Sequence, residues 1–142
     1  MNRKEPPVVA VVDDDSVYQF TASRTLQATH LADQILQFQN GSEALSFLRE
    51  ACKASHAVPD IIFLDINMPI TDGWGFLEEF NELKTHLGKD VKIYVVSSSI
   101  DPRDRNRARN YPDVADYMEK PISLSKFSEV LLQWDKEVKR QP

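Results

Sequence analysis

Asp13-Asp14-Asp15, Asp65, Ser97 and Lys120 are side chains whose types fit one piece of chemistry. Each follows a run that reads as a strand: VVAVV before the three aspartates, IIFL before Asp65, VKIYVV before Ser97 and DYME before Lys120. Open parallel α/β sheets bind ligands at the C-terminal ends of their strands, where the strand order reverses. If the first strand lies beside the third, the carboxylates of Asp13, Asp14 and Asp65 converge. Like charges that close repel, and one or more would be held protonated without compensation. A hard divalent cation relieves the repulsion, and Mg²⁺ takes carboxylate oxygens while retaining several waters. Lys120 supplies a second positive charge. A carboxylate left partly free of the metal is then a nucleophile toward phosphorus, as in aspartyl-phosphate chemistry. Mg²⁺ and Lys120 would screen the phosphoryl oxygens, and the Ser97 hydroxyl would donate a hydrogen bond to one of them.

The elements that must position these groups are legible around the segment 60–73, DIIFLDINMPITDG. Ile61 to Leu64 is short, unbroken and rich in β-branched residues, which predicts a strand buried on both faces. Pro69 and Asp72-Gly73 mark the loop after it. Val8 to Val12 is a second fully apolar strand. Gln34 to Phe38 alternates polar and apolar residues and reads as a strand nearer an edge. Val91 to Val96 and Asp116 to Glu119 supply the fourth and fifth strands.

Helices fall between the strands. Asp15 or Ser16 caps the first, which carries Val17, Phe20, Thr21, Arg24, Leu26 and Ala28 and runs to about His30. Asn40-Gly41 turns the chain and Ser42 caps the second, with Ala44, Leu45, Phe47, Leu48 and Ala51. Trp74, Leu77, Phe80 and Leu83 recur at helical spacing in the third, and Gly88 punctuates the loop behind it. Asp101-Pro102 opens the fourth. Ser123 caps the fifth, with Phe127, Val130, Leu131 and Trp134 facing inward. Arg103 to Asn110 contains a single apolar residue, Ala108, which predicts a short, weakly anchored helix. Alternation of this kind predicts an α/β fold with one doubly wound parallel sheet of five strands and five helices. Residues 1–142 form one domain in this reading, with a core from about 7 to 134 and frayed ends at 1–6 and 136–142.

Composition narrows the function classes. The 142 residues suffice for one sizeable core, and 42% hydrophobic with 27% charged residues is ordinary globular usage. Seventeen basic against 22 acidic residues leave a formal charge of −5, which argues against sequence-independent nucleic-acid binding. Cys52 is the single cysteine, so no internal disulfide forms; this fits a reducing cytoplasm. No apolar run approaches a membrane span, and MNRKEPP has no apolar core of a secretion signal. His30, His56 and His86 are scattered without ligand spacing, and Cys52 reads as a packing residue.

VVDDDS, FLDINMPITDGW, VVSSS and YMEKP, in that order and spacing, resemble the receiver domain of two-component response regulators from about Pro7 to Trp134. The resemblance implies the flavodoxin-like strand order 2-1-3-4-5 of chemotaxis regulators. It implies that Asp65 is the phosphoacceptor, that Asp14 ligates Mg²⁺ directly and Asp13 mostly through water, and that Asn67 offers its backbone carbonyl to the metal. Ser97 becomes the switch hydroxyl, Lys120 the lysine of the site, and Tyr117 the switch aromatic. Lys120-Pro121 is similar to the family's cis peptide, and X–Pro is the bond at which cis is least costly. One departure is local: Val114-Ala115, behind Tyr111-Pro112, replaces the usual Gly-Ala before the fifth strand.

The expected function is a stand-alone receiver that takes a phosphoryl group from a phosphohistidine on a sensor histidine kinase or histidine phosphotransfer protein. Phosphorylation should draw Ser97 toward the phosphoryl group and Tyr117 inward, biasing the face of the fourth helix, fifth strand and fifth helix. No DNA-binding segment follows, so the expected output is a protein contact or onward transfer in a phosphorelay, in the cytoplasm, with no nucleic acid and no membrane. A phosphatase with an aspartyl-phosphate intermediate would typically carry a second acid two residues after the nucleophile, where this chain has Asn67; it would also need a cap domain. A receiver kept only as an interaction module would lack a site residue, and none is missing. A nucleotide-binding domain would need a glycine-rich loop after the first strand, and the chain has four glycines in all, none there. Arg103, Arg105, Arg107 and Arg109 form two i,i+4 pairs, read either as a solvated face or as a mobile docking surface.

Overall fold

Five parallel strands run side by side in the order β2-β1-β3-β4-β5 in the computed structural model, which describes residues 6–53, 58–68, 72–98 and 101–139. They are β1 (Val8–Val12), β2 (Gln34–Phe38), β3 (Ile61–Asp65), β4 (Lys92–Ser97) and β5 (Val114–Glu119). The helices are α1 (Ser16–Thr29), α2 (Gly41–Ala51), α3 (Gly73–Leu83), α4 (Pro102–Ala108) and α5 (Leu124–Lys139), with a 3₁₀ turn at Lys84–His86. Pro69, Ser99, His56 and the chain ends 1–5 and 140–142 lie outside the described residues.

β1 and β3 are buried along their whole length because helices cover both faces of the sheet. Alternation within the strands divides the core in two. Ala10, Val12, Ile62, Leu64, Ile93 and Val95 pack with the inner faces of α2 and α3. Val9, Val11, Ile61, Phe63 and Val96 pack with Ala22 and Leu26 of α1 and with Phe127, Val130, Leu131 and Trp134 of α5. Phe63 meets Phe127 edge-on at 5.0 Å, a favourable geometry for two rings.

The register levels the chemical groups along one rim. Val12 pairs with Leu64, which sets the following Asp13 beside Asp65. Asp65 pairs with Val96, so Ser97 stands one residue further up. Ser97 pairs with Glu119, and its carbonyl accepts from the Lys120 N–H at 2.9 Å. The Lys120–Pro121 peptide is cis.

Several local details differ from the sequence reading. Asn40, not Ser42, caps α2: its side-chain oxygen accepts from the Glu43 N–H at 2.8 Å. Glu43 in turn accepts from the Gln39 N–H at 2.9 Å, one residue before the cap. α1 turns Gln19, Ala22, Ser23 and Leu26 inward and exposes Val17 and Phe20, against their hydropathy. β5 begins at Val114 rather than Asp116, and its register shifts at Ile93/Tyr94; Val114 and Asp116 pair with those two residues, leaving Ala115 as the extra residue of a bulge. α5 runs to Lys139, and Val138 packs on the second cluster. Among the described residues, no helix is long and apolar enough to cross a membrane.

Candidate functional site

β3 delivers Asp65 to the rim with 5% of its surface exposed. The chain then turns sharply into α3, and this turn needs glycine at 73. A Cβ there would lie 2.6 Å from the Ile66 Cα and 2.9 Å from the Asp65 carbonyl oxygen, both backbone atoms. The Gly73 N–H donates to the Ile66 carbonyl at 3.2 Å, and Asp72 caps α3 by accepting from the Gly75 N–H. Asn67 bridges two site groups. Its N–H donates to Asp65 Oδ1 at 3.1 Å, and its Nδ2 lies 3.5 Å from Ser97 Oγ.

β1 delivers Asp13, which is buried, and Asp14, which is exposed. One carboxylate oxygen each from Asp13, Asp14 and Asp65 lie within 4.8 Å of one another, the only such group of acids among the described residues. The Lys120 ammonium enters from β5. It sits 2.6 Å from Asp13 Oδ2 and 3.7 Å from Asp65 Oδ2. Asp13, Asp14, Asp65, Asn67, Ser97 and Lys120 therefore meet at one rim.

The charges do not balance. Three carboxylates face one ammonium, and two of the three are buried. Burial pushes the Asp65 carboxyl up to about 6; the Asn67 N–H lowers it, Asp13 and Asp14 raise it, and Lys120 lowers it. Three hard oxygen donors with a surplus of negative charge are a donor set that fits a small divalent cation. Asp65 offers a carboxylate with a cation 3.7 Å away, a pairing that suits nucleophilic chemistry.

Tyr117 is buried, in the core cluster that holds Ala108, and its ring lies beneath the Arg105 guanidinium at 4.8 Å. Arg105 also reaches the Tyr117 carbonyl at 3.4 Å. Arg107 lies 4.4 Å over the Trp74 ring, and Trp74 stacks on Tyr111 at 5.7 Å. The Tyr111 hydroxyl donates to Glu78 Oε2 at 2.9 Å. All four arginines are exposed, and two of them, Arg105 and Arg107, also lie over rings of neighbouring elements. Ala108 is the one buried residue of α4, and Arg105 and Arg107 add the anchorage that its apolar content does not.

Two residues at the site carried no signal in the sequence. Gln19 is buried, and its Nε2 donates to the carbonyls of Val11, Asp13 and Phe38 at 3.0, 3.1 and 2.8 Å. It ties the ends of β1 and β2 together beneath the acid pair. Tyr18 places its ring 4.4 Å from Lys120 Nζ, and burial with the nearby Asp13 and Asp65 raises its phenol well above the usual range. A glutamine and a tyrosine early in an amphipathic helix read as surface residues until their distant partners are known.

Residues 9–132 match the family model described as the response regulator receiver domain. A two-component response regulator from Cytophaga hutchinsonii superposes with a TM-score of 0.83 at 28% identity, covering 97% of this chain and all of that one. The transcriptional regulatory protein PrrA of Mycobacterium tuberculosis is 32% identical over 123 residues, 85% of this chain and 46% of that protein. The sensor histidine kinase CheAY of Helicobacter pylori is 30% identical over 116 residues, 82% of this chain and 13% of that protein. The chain therefore spans less than half the length of these two relatives.

Proposed function

The chain belongs to the response regulator receiver domain family, and from that premise we propose that it accepts a phosphoryl group on Asp65 from a phosphohistidine, with Mg²⁺ held at the same rim. The observation that supports this most directly is the arrangement of Asp65 itself: buried, within 4.8 Å of two further carboxylates and 3.7 Å from Lys120. The donor is a sensor histidine kinase or a histidine phosphotransfer protein.

In this reading an Asp65 carboxylate oxygen attacks phosphorus. The new O–P bond forms as the P–N bond to the donor imidazole breaks, and its electron pair stays on the histidine nitrogen. Asp14 and Asp65 would hold Mg²⁺ through carboxylate oxygens and Asp13 mostly through water, with the Asn67 backbone carbonyl as a further ligand. Bound Mg²⁺ supplies charge compensation for the phosphoryl oxygens. Lys120, now paired with Asp13, turns part of its charge toward a phosphoryl oxygen. The Ser97 hydroxyl donates to another. The arrangement of Tyr117, packed inward under Arg105, is the one that phosphorylation is expected to favour, as a shift of population at the face of α4, β5 and α5. That face is the proposed contact for an output protein. The role is signalling, and the chemistry acts on the domain itself in the cytoplasm.

The test is labelling by a small phosphodonor with Mg²⁺. Asp65→Asn should abolish stoichiometric labelling and beryllofluoride binding with the fold intact by circular dichroism. Labelling that survives would place the acceptor elsewhere. Lys120→Ala should retain slow labelling and lose the response at the α4–β5–α5 face.

A further inference from the structure

Lys120 carries its charge on a four-carbon stem, which leaves the ammonium free to wander unless something fixes it. Two restraints are acids: Asp13 Oδ2 at 2.6 Å and Asp65 Oδ2 at 3.7 Å. The third is the face of the Tyr18 ring, 4.4 Å from Nζ. The turn before α1 puts that ring in place. Asp13 Oδ1 accepts from the Asp15 N–H, and Asp15 accepts from the Val17 and Tyr18 N–H groups. The acid that pairs with Lys120 therefore also fixes the start of the helix that brings Tyr18.

We propose that Tyr18 is a positioning residue for Lys120: its ring holds the ammonium beside Asp13 and Asp65 and limits its hydration, so that the charge is in place when a phosphoryl group arrives. This rests on the reading of Lys120 as the partner of the phosphoryl oxygens. A ring attracts an ammonium most strongly where both are partly out of water, and the Lys120 side chain is 17% exposed. The hydroxyl has no part in this role. Phenylalanine at 18 keeps the π face, whereas leucine fills similar space without one.

The experiment has two arms on the whole chain. In the first, the Lys120 ε-protons are observed by NMR without any phosphodonor. The ring current shifts them upfield in the wild type and in Tyr18→Phe, and the shift disappears in Tyr18→Leu. Unshifted ε-protons in the wild type overturn the inference whatever the labelling shows. In the second, the rate of Mg²⁺-dependent labelling by acetyl phosphate is measured. Tyr18→Leu should slow it about twofold to tenfold, the range a partly desolvated ring contact supports, and Tyr18→Phe should restore it. Added to Lys120→Ala, Tyr18→Leu should change nothing further, because the ring acts through the lysine. A Tyr18→Leu protein as fast as wild type, or one slowed equally with and without Lys120, overturns the inference. Tyr18→Met provides the same comparison in a second side chain that lacks a ring. A wild-type chain that takes no label on Asp65 defeats the proposed function instead, and the first arm still decides the Tyr18 contact.

Discussion

Asp65 is held in a state that its ionised form dislikes, and this has a measurable sign. An ordinary aspartate titrates near 3.9 (about that value in model peptides), whereas Asp65 is pushed up to about 6, by burial first. Between these values the folded chain binds more protons than the unfolded one, so stability falls as pH rises from about 4 to about 6 and is level above that. Denaturant unfolding in metal-free buffer across this range should show the fall. Asp65→Asn should remove it, leaving that variant more stable than wild type at pH 7 by on the order of 2 kcal/mol and equal to it near pH 4. A wild-type curve flat from pH 4 to 7 would mean that burial does not penalise the charge. Gln19 offers a second test at this scale. Gln19→Leu keeps the volume but takes the donor from three main-chain carbonyls, and should cost about 1–3 kcal/mol in chemical denaturation. A loss below a few tenths would show that water replaces the amide.

At the scale of elements, α4 is where composition and structure diverge. Its apolar content predicts weak anchorage, and Ala108 is its one buried residue. Yet Arg105 lies over Tyr117 and Arg107 over Trp74, at 4.8 and 4.4 Å. Contacts of this kind at exposed sites are worth about 0.5–1 kcal/mol each. Amide exchange should therefore protect residues 102–108 less than β1 and β3, and Arg107→Ala should speed exchange across α4 about twofold to fivefold. Unchanged exchange in Arg107→Ala would leave the anchorage to Ala108 and Arg105. Since Trp74 begins the helix that follows the Asp65 turn and Tyr117 lies on β5, the same two arginines link α4 to the elements on either side of it.

At the scale of the whole molecule, the proposed cation site would join folding to binding. Asp13, Asp14 and Asp65 are far apart in sequence and share one rim only when the sheet is formed. A cation that binds them binds the folded state alone, so Mg²⁺ at a hundred times its dissociation constant should raise the unfolding free energy by about 2.7 kcal/mol. Melting curves with Mg²⁺ and with chelator should differ accordingly. Asp14→Asn, at the exposed member of the group, should erase most of the difference while leaving the metal-free midpoint at or above wild type, because one of three like charges is gone. A Mg²⁺ shift that Asp14→Asn leaves intact would place the ion elsewhere.

The strands, their C-terminal acids and the candidate site were legible in the sequence because their signals are local. Ile61 to Leu64 is apolar without a break, so it must be covered on both faces, and whatever follows it must stand at the rim. The same holds for Val8 to Val12 and Asp13. The duties of Tyr18, Gln19, Arg105 and Arg107 were not legible, nor was the outward turn of Phe20. An arginine, glutamine or tyrosine on a helix has the same neighbours in sequence whether it faces water or a buried carbonyl, a lysine or a ring. Only packing brings Lys120 to Tyr18 and Arg107 to Trp74. The sequence by itself determined which groups stand at the strand ends; the tertiary structure decided what holds them there, because those partners are close in space and remote along the chain.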